Sequence, residues 1–342
     1  MASEFVEGSA HFNNAFLEAK YTTAFFAGVD LAPPVGRIGP AIELNAGGFV
    51  TRTLKHQSGW TIGFARYFQA SVFGNDIYQG RHNNTIIARV TVENDGTISL
   101  RCGNGTFIAN STPFSLHAKS WYDIQCQYTL TGSPTTNIMV TMELKVDGNI
   151  LCSGTGDCGF NTTVTLLNTA TVNVHSWSSP SGNNWQKDSY CFNNLTANNN
   201  SYAGDLTFLA IFPNGDVSTG WTPSRAGTSW DLINSNPPDL TKYIEEATAG
   251  VFSNFDFQDV PAFSGKIVVV QILALAQKTA EGSKSFKIKS NPGAGAIDFS
   301  SAEFFVNDSP LYYFSDLGQD PAGGDWDVTA FNARRWRVEV IS

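Results

Sequence analysis

The sequence predicts an all-β chain: a jelly-roll sandwich followed by a smaller C-terminal antiparallel β-sandwich. Three observations carry this. Short runs rich in β-branched and aromatic residues recur at regular intervals and end at Gly, Asn or Asp, as strands joined by tight turns do. The 342 residues include 31 Gly, and 13% are aromatic, the composition of a turn-rich β protein. Charged residues reach only 15%, against roughly 25% in ordinary soluble domains, so Asn, Ser, Thr and Gly must cover the surface.

A chain of this length is expected to hold about two domains and to bury a core without disulfides or metals. Residues 1–35 form an N-terminal arm ending in Ala32-Pro33-Pro34. A short helix or extended arm and a first strand fit its pattern equally. The jelly roll is expected over residues 36–213. WTIGFARYF (60–68) reads as a buried strand, and Asp95-Gly96 and Asp147-Gly148 mark two hairpin tips, where the backbone must turn with positive φ. SWYDIQCQYTL (120–130) alternates, with Trp121, Ile124, Cys126 and Tyr128 as inner-face candidates. Strands this numerous, without helical periodicity between them, imply two packed sheets.

Residues 214–250, rich in Pro, Gly, Ser and Asn, read as a connector, with one or two helical turns at TKYIEEATA. Residues 251–342 form the C-terminal β-sandwich. Glu281-Gly282 is the expected turn between its strands KIVVVQILALAQK and KSFKIKS. Closeness in sequence favours antiparallel pairing. Several of these strands are apolar on both faces, so one face is expected to be covered by another domain or subunit.

The stretch from Tyr202 is the most distinctive. Tyr202-Gly204-Asp205, Trp221-Thr222-Pro223-Ser224, Pro237-Pro238-Asp239 with Tyr243-Ile244, and Trp326 with Phe331-Asn332-Ala333 follow in order. This succession resembles the C-terminal half of bacteriophage virion proteins that carry a concanavalin/laminin-G-like jelly roll. The jelly-roll part, closing with Tyr190-Cys191-Phe192-Asn193-Asn194-Leu195, matches the same pattern more generically. The resemblance implies a concanavalin-like fold and a non-enzymatic structural protein on the virion surface, as head decoration, fibre or tail appendage. It further implies synthesis in a host cytoplasm, symmetric homo-oligomers (trimers among them) and contacts with other virion proteins. The alternative is a glycan-binding tail adhesin that recognises host-surface glycans.

Charge and motifs exclude several classes. The net charge of −9, with scattered basic residues, leaves no footprint for nucleic acid. Arg334, Arg335 and Arg337 form the densest basic cluster and read as a solvated edge strand or an inter-subunit contact. The opening MASEFVEGSAHF lacks the basic and apolar regions of a secretion signal, so a reducing cytoplasm and free thiols are expected. A Cys152–Cys158 hairpin disulfide is the exception considered among the five cysteines. Their spacing fits no zinc pattern. The longest apolar run, 267–276, is broken by Gln271 and falls short of the roughly 18–20 residues a membrane span needs. No hydrolase elbow, phosphate loop or metalloprotease motif is present, and no strand carries the carboxylates a glycosidase needs. No enzyme activity and no cofactor are therefore expected.

Two ligand sites remain as expectations. Trp177, Asn184 and Trp185, in SWSSPSGNNWQKDSY, combine aromatic faces with amides and suit sugar stacking and hydrogen bonding; packing of the sandwich rim competes with that reading. Asp205, Asp216, Asn193 and Asn194 offer oxygens for Ca2+, which takes six to eight such ligands. Turn capping by the two aspartates is the competing explanation.

Overall fold

In the computed structural model the described residues are 3–7, 23–25, 28–30, 41–44, 49–52, 59–68, 75–82, 85–111, 119–132, 137–159, 171–174, 184–193, 202–204, 206, 208–235, 238–293 and 295–342. The chain divides into two units, Met1–Leu209 and Ala210–Ser342. Both are built almost wholly of antiparallel strands. Among the described residues no helix is long and apolar enough to cross a membrane.

The first unit opens with β1 (Ser3–Glu7), β2 (Thr23–Phe25), β3 (Gly28–Asp30), β4 (Ala41–Leu44) and β5 (Phe49–Arg52). Then come β6 (Gly59–Phe68), β7 (Asn75–His82), β8 (Thr85–Val92), β9 (Ile98–Cys102) and β10 (Phe107–Asn110). β11 (Ser120–Thr131), β12 (Met139–Val146), β13 (Asn149–Asp157), β14 (Thr171–Val174) and β15 (Asn184–Asn193) complete it. The first sheet runs β13-β12-β11-β6-β15-β4-β3, with β1 also paired to β15. The second runs β10-β9-β8-β7-β14-β5-β2.

The inner face of the first sheet follows from the two-residue period of a strand. Trp60, Ile62, Phe64 and Phe68 alternate on β6, beside Tyr128, Cys126, Ile124 and Ser120 of β11. Val140, Met142, Leu144 and Val146 continue the row on β12, all buried. Across the sandwich lie Tyr78, Val90, Val92, Ile98 and Leu100, also buried, and the Tyr78 and Tyr128 rings meet at 6.2 Å. Both expected hairpins form: Gly96 has φ +81, and Asp147 and Gly148 have φ +49 and +79. Trp121 does not face inward. Its odd position puts it on the outer face, out of phase with Ile124, Cys126 and Tyr128.

The β6 strand is buried along its whole length on both faces. Arg66 sits on the inner face, 1% exposed, and its guanidinium stands 5.4 Å from the Phe64 ring. Burial pulls its pKa down to about 9.

The second unit contains β16 (Pro213–Ser218), β17 (Thr222–Pro223), α1 (Ser229–Ile233), β18 (Ile244–Glu245), β19 (Phe252–Phe257) and β20 (Val270–Ala276). β21 (Ser285–Pro292), β22 (Phe299–Ser300), β23 (Phe304–Phe305), β24 (Leu311–Leu317), α2 (Val328–Asn332) and β25 (Arg334–Val340) follow. Its main sheet runs β16-β19-β25-β21-β22, and β20 pairs with β24 as a separate ribbon. Val270, Leu317, Trp326, Phe331 and Trp336 form the core, with Trp326 Nε1 donating to the Leu317 carbonyl at 3.0 Å.

Three expectations change here. The two strands flanking Glu281-Gly282 do not pair with each other: β20 joins β24, and β21 joins β25. Residues 241–249 make no helix, since Ile244–Glu245 pairs with Thr222–Pro223; the short helix lies at 229–233 instead. Arg334 is neither on an edge nor solvated. β25 is central, and Arg334 is 3% exposed, held by Asp298 at 2.8 and 2.9 Å, by Asp320, and by Ser290 at 3.0 Å. Two carboxylates and a hydroxyl offset its desolvation, which a lone buried guanidinium could not survive.

Candidate functional site

Strand parity decides what the first sheet offers outward. On β6 the outer row is Thr61, Gly63, Ala65 and Tyr67, which register with Gln127, Gln125, Asp123 and Trp121 of β11. β12 adds Thr141, Glu143 and Lys145, opposite Thr129, Gln127 and Gln125. β13 adds Ser153 and Thr155, opposite Glu143 and Thr141.

The character of this face changes along the strands. At one end the Tyr67 and Trp121 rings meet edge to face at 5.5 Å. In the middle, Asp123 and Gln125 are hydrogen-bonded to each other and almost fully buried. There the Tyr190 ring occupies the space a side chain at position 63 would need. At the far end Gln127, Thr129, Thr141, Glu143, Ser153 and Thr155 line an open groove of ≈ 370 Å³. Gln127 Nε2 donates to Thr61 Oγ1 at 3.2 Å, and the Thr141 and Thr155 hydroxyls bond at 2.9 Å. The Tyr202 hydroxyl donates to the Glu143 carbonyl at 2.8 Å, and Lys145 Nζ lies 4.0 Å from the Tyr202 ring centroid. Burial pushes the Tyr202 hydroxyl far above the ordinary phenol range, so it stays protonated.

The outer face of the second sheet is charged. Register sets Gln79, Arg89, Arg101 and Phe107 in one row and Asp76, Thr91 and Ser99 in the next. Asp76 accepts from Gln79 Nε2 at 2.7 Å and Thr91 Oγ1 at 2.6 Å. Glu93 accepts from Arg101 at 2.7 and 2.9 Å and from Ser99. Arg81 donates twice to Gln79 Oε1, at 3.0 and 2.6 Å. Burial raises the Glu93 pKa, but the bonds from Ser99 and Arg101 outweigh it and hold the carboxyl below its usual range.

The site residues expected from sequence are placed unevenly. Trp177, Asn194 and Asp205 lie outside the described residues. Asn184, Trp185 and Asn193 lie on β15, where Trp185 pairs with Tyr67 and Asn193 with Trp60. Asp216 belongs to the second unit, where its two oxygens accept from the backbone N–H groups of Ser229 and Trp230, both at 2.9 Å. That is the N-terminal capping of α1. Among the described residues no three His, Cys, Asp or Glu side chains gather as a metal-ligand group.

Cys102, Cys126, Cys152 and Cys158 are free and buried. A Cys152–Cys158 bridge is precluded, because β13 extends through Asp157 and six extended residues span about 20 Å, far beyond disulfide reach. Burial raises the Cys152 pKa to about 11, so that thiol stays protonated and unreactive.

No family model matches the chain, and no curated protein matches it. Solved structures do. An alginate lyase, Aly36B, crystallised with alginate trisaccharide, is 7% identical, with 56% of this chain and 98% of that one covered, at TM-score 0.40. An alginate lyase from Aplysia kurodai is 10% identical, with 56% and 99% covered, at TM-score 0.40. A glucuronan lyase from Trichoderma reesei is 12% identical, with 56% and 95% covered, at TM-score 0.34.

These findings correct the functional expectation. The chain was expected to be a non-enzymatic virion component, with a tail-adhesin lectin as the alternative. The matched structures named here are polysaccharide lyases, so the virion assignment and the exclusion of enzyme activity are both withdrawn. At these scores the likeness extends to the jelly-roll sandwich and no further.

Proposed function

We propose that the protein is carbohydrate-active and that its first unit takes a sugar chain in the outward groove of β11, β12 and β13. The observation that carries this reading is the groove at the far end of the outer face, the middle being buried. An aromatic pair, Tyr67 and Trp121, stands at one end, and amides and hydroxyls line a groove at the other. Sugars present apolar C–H faces, which aromatic rings cover, and rows of hydroxyls that need both donors and acceptors. Gln, Ser and Thr supply both from one side chain. Rows spaced by the roughly 4.8 Å between strands repeat that chemistry along an extended polymer. Trp185 registers with Tyr67 of the outer row, so the sugar-stacking expectation stays part of this proposal at that position, whereas Asn184 registers with Phe68 of the inner row.

The test is affinity electrophoresis of the full chain through gels carrying neutral and uronate polysaccharides. Alginate and glucuronan, the polymers for which the matched lyases are named, come first. Release of reducing ends and ultraviolet absorbance of new double bonds read cleavage in the same samples. Trp121→Ala is expected to weaken retention about tenfold, the scale of one lost aromatic contact. A Gln127→Ala/Thr141→Ala variant is expected to weaken it comparably. Retention that ignores all three substitutions would sink this assignment.

A further inference from the structure

We propose that the outer face of β7, β8 and β9 is a second site, one that recognises an acidic sugar. Its carboxylate or sulfate would bind on the exposed side of Arg89 and Arg101, with its ring against Phe107.

The argument starts from register. Arg89 and Arg101 are directly opposite each other on neighbouring strands, an arrangement that costs stability unless negative charge lies nearby. The carboxylates present do not fully answer it. Asp76 is occupied by Gln79 and Thr91 and stands 3.6 Å from Arg89, beyond good hydrogen-bond length. Glu93 is turned to Arg101 and Ser99. Arg89 Nε is buried, and among the described residues it meets no acceptor. That Nε is out of reach of a ligand, but the side chain as a whole keeps 27% of its surface exposed, and an anion with two oxygens would bond its outer NH1 and NH2 groups.

The segment that packs between Arg89 and Arg101 is a glycine turn. Gly105, at φ +87, lies between the two arginines: its carbonyl accepts from Arg101 NH1 at 3.2 Å, and a Cβ there would stand 3.2 Å from Arg89 NH2. Any other residue would both strain the backbone and crowd that guanidinium. Phe107, opposite Arg101 and 5.8 Å from its guanidinium, is 49% exposed. It offers a ring face to a sugar whose charged group is held next door. Arg81, Arg89 and Arg101 face Asp76, Glu93 and the Asp95 that acts on Glu93, so this face is close to neutral on a chain of net charge −9.

The experiment is affinity electrophoresis of the full chain in polygalacturonate, dextran sulfate and plain dextran, across a NaCl series. Both charged polymers are expected to retard the protein, with retention falling as salt rises; their ratio tells carboxylate from sulfate preference. Arg89→Ala is expected to lose about tenfold in that salt-sensitive retention, the scale of one charge-assisted contact. Arg335→Ala, which removes the same charge from the second unit, is expected to leave it unchanged. Phe107→Ala, at an exposed position that folding does not need, is expected to lose several-fold. Equal loss in Arg335→Ala, or full retention in both Arg89→Ala and Phe107→Ala, would overturn the site. Trp121→Ala acts on the other sheet, so failure of the neutral-face reading leaves this result interpretable.

Discussion

The two outer faces of the first unit share a scaffold and differ in chemistry. Across β6, β11, β12 and β13 the polar groups are mostly neutral, and the cation there, Lys145, is stacked on Tyr202. Across β7, β8 and β9 the polar groups are mostly ionised, and Arg81, Arg89 and Arg101 face Asp76, Glu93 and, at the turn, Asp95. The first face matches hydroxyls one by one and should be insensitive to salt. The second matches charge and should respond to it. A jelly roll can thus present two recognition modes without changing its core, because inner and outer residues alternate along every strand.

The largest effect should come from the glycine at the end of β9. A Cβ at Gly103 would overlap the Ile86 carbonyl, and a backbone atom in a sheet cannot step aside. Gly103→Ala is expected to destabilise the first unit by about 3 kcal/mol, read as a lower urea midpoint, and to abolish polyanion retention. Gly63→Ala makes the matching test on the neutral face. There the obstacle is the Tyr190 ring, which can shift, so a smaller loss of about 1–2 kcal/mol is expected. If the two variants unfold at the same urea concentration, the distinction between backbone and side-chain obstruction fails.

A finer separation comes from pH. The folded Glu93 carboxyl titrates below its ordinary value of about 4.3, because Ser99 and Arg101 outweigh its burial. Its contribution to stability is therefore complete above that ordinary value and disappears as pH falls through the lowered folded value. In that window Arg101 is released, so dextran sulfate should be retained more strongly while the urea midpoint drops slightly. Retention of plain dextran should not change. Parallel changes for both polymers would show that the two faces are not chemically separate.

Part of this was legible in the sequence. Asp95-Gly96 and Asp147-Gly148 mark real hairpins because only special backbone geometry fits those tips. Counting outward from a two-residue Asp95-Gly96 turn would pair Arg89 with Cys102; the Glu93 N–H bonds the Thr97 carbonyl instead, so the loop is one residue longer and Arg89 meets Arg101. The neutral face was hidden for a different reason. It needs β6 aligned with β11 on one side and β15 on the other, pairings between segments roughly 60 and 120 residues apart that no local pattern encodes. Trp121 was misassigned to the inner face because aromatic character was weighed above strand parity. Arg334 was misassigned because its partners, Asp298 and Asp320, come together only once β25 enters the middle of its sheet.

The central claim is that sugar chemistry is read on the outer side of the Gly59–Phe68 sheet. Its most direct test compares wild type and Trp121→Ala on a uronate polymer at high salt, where charge attraction is screened out. The account predicts residual binding by the wild type that the substitution removes. Residual binding of equal strength in both proteins, or none in either, would contradict it.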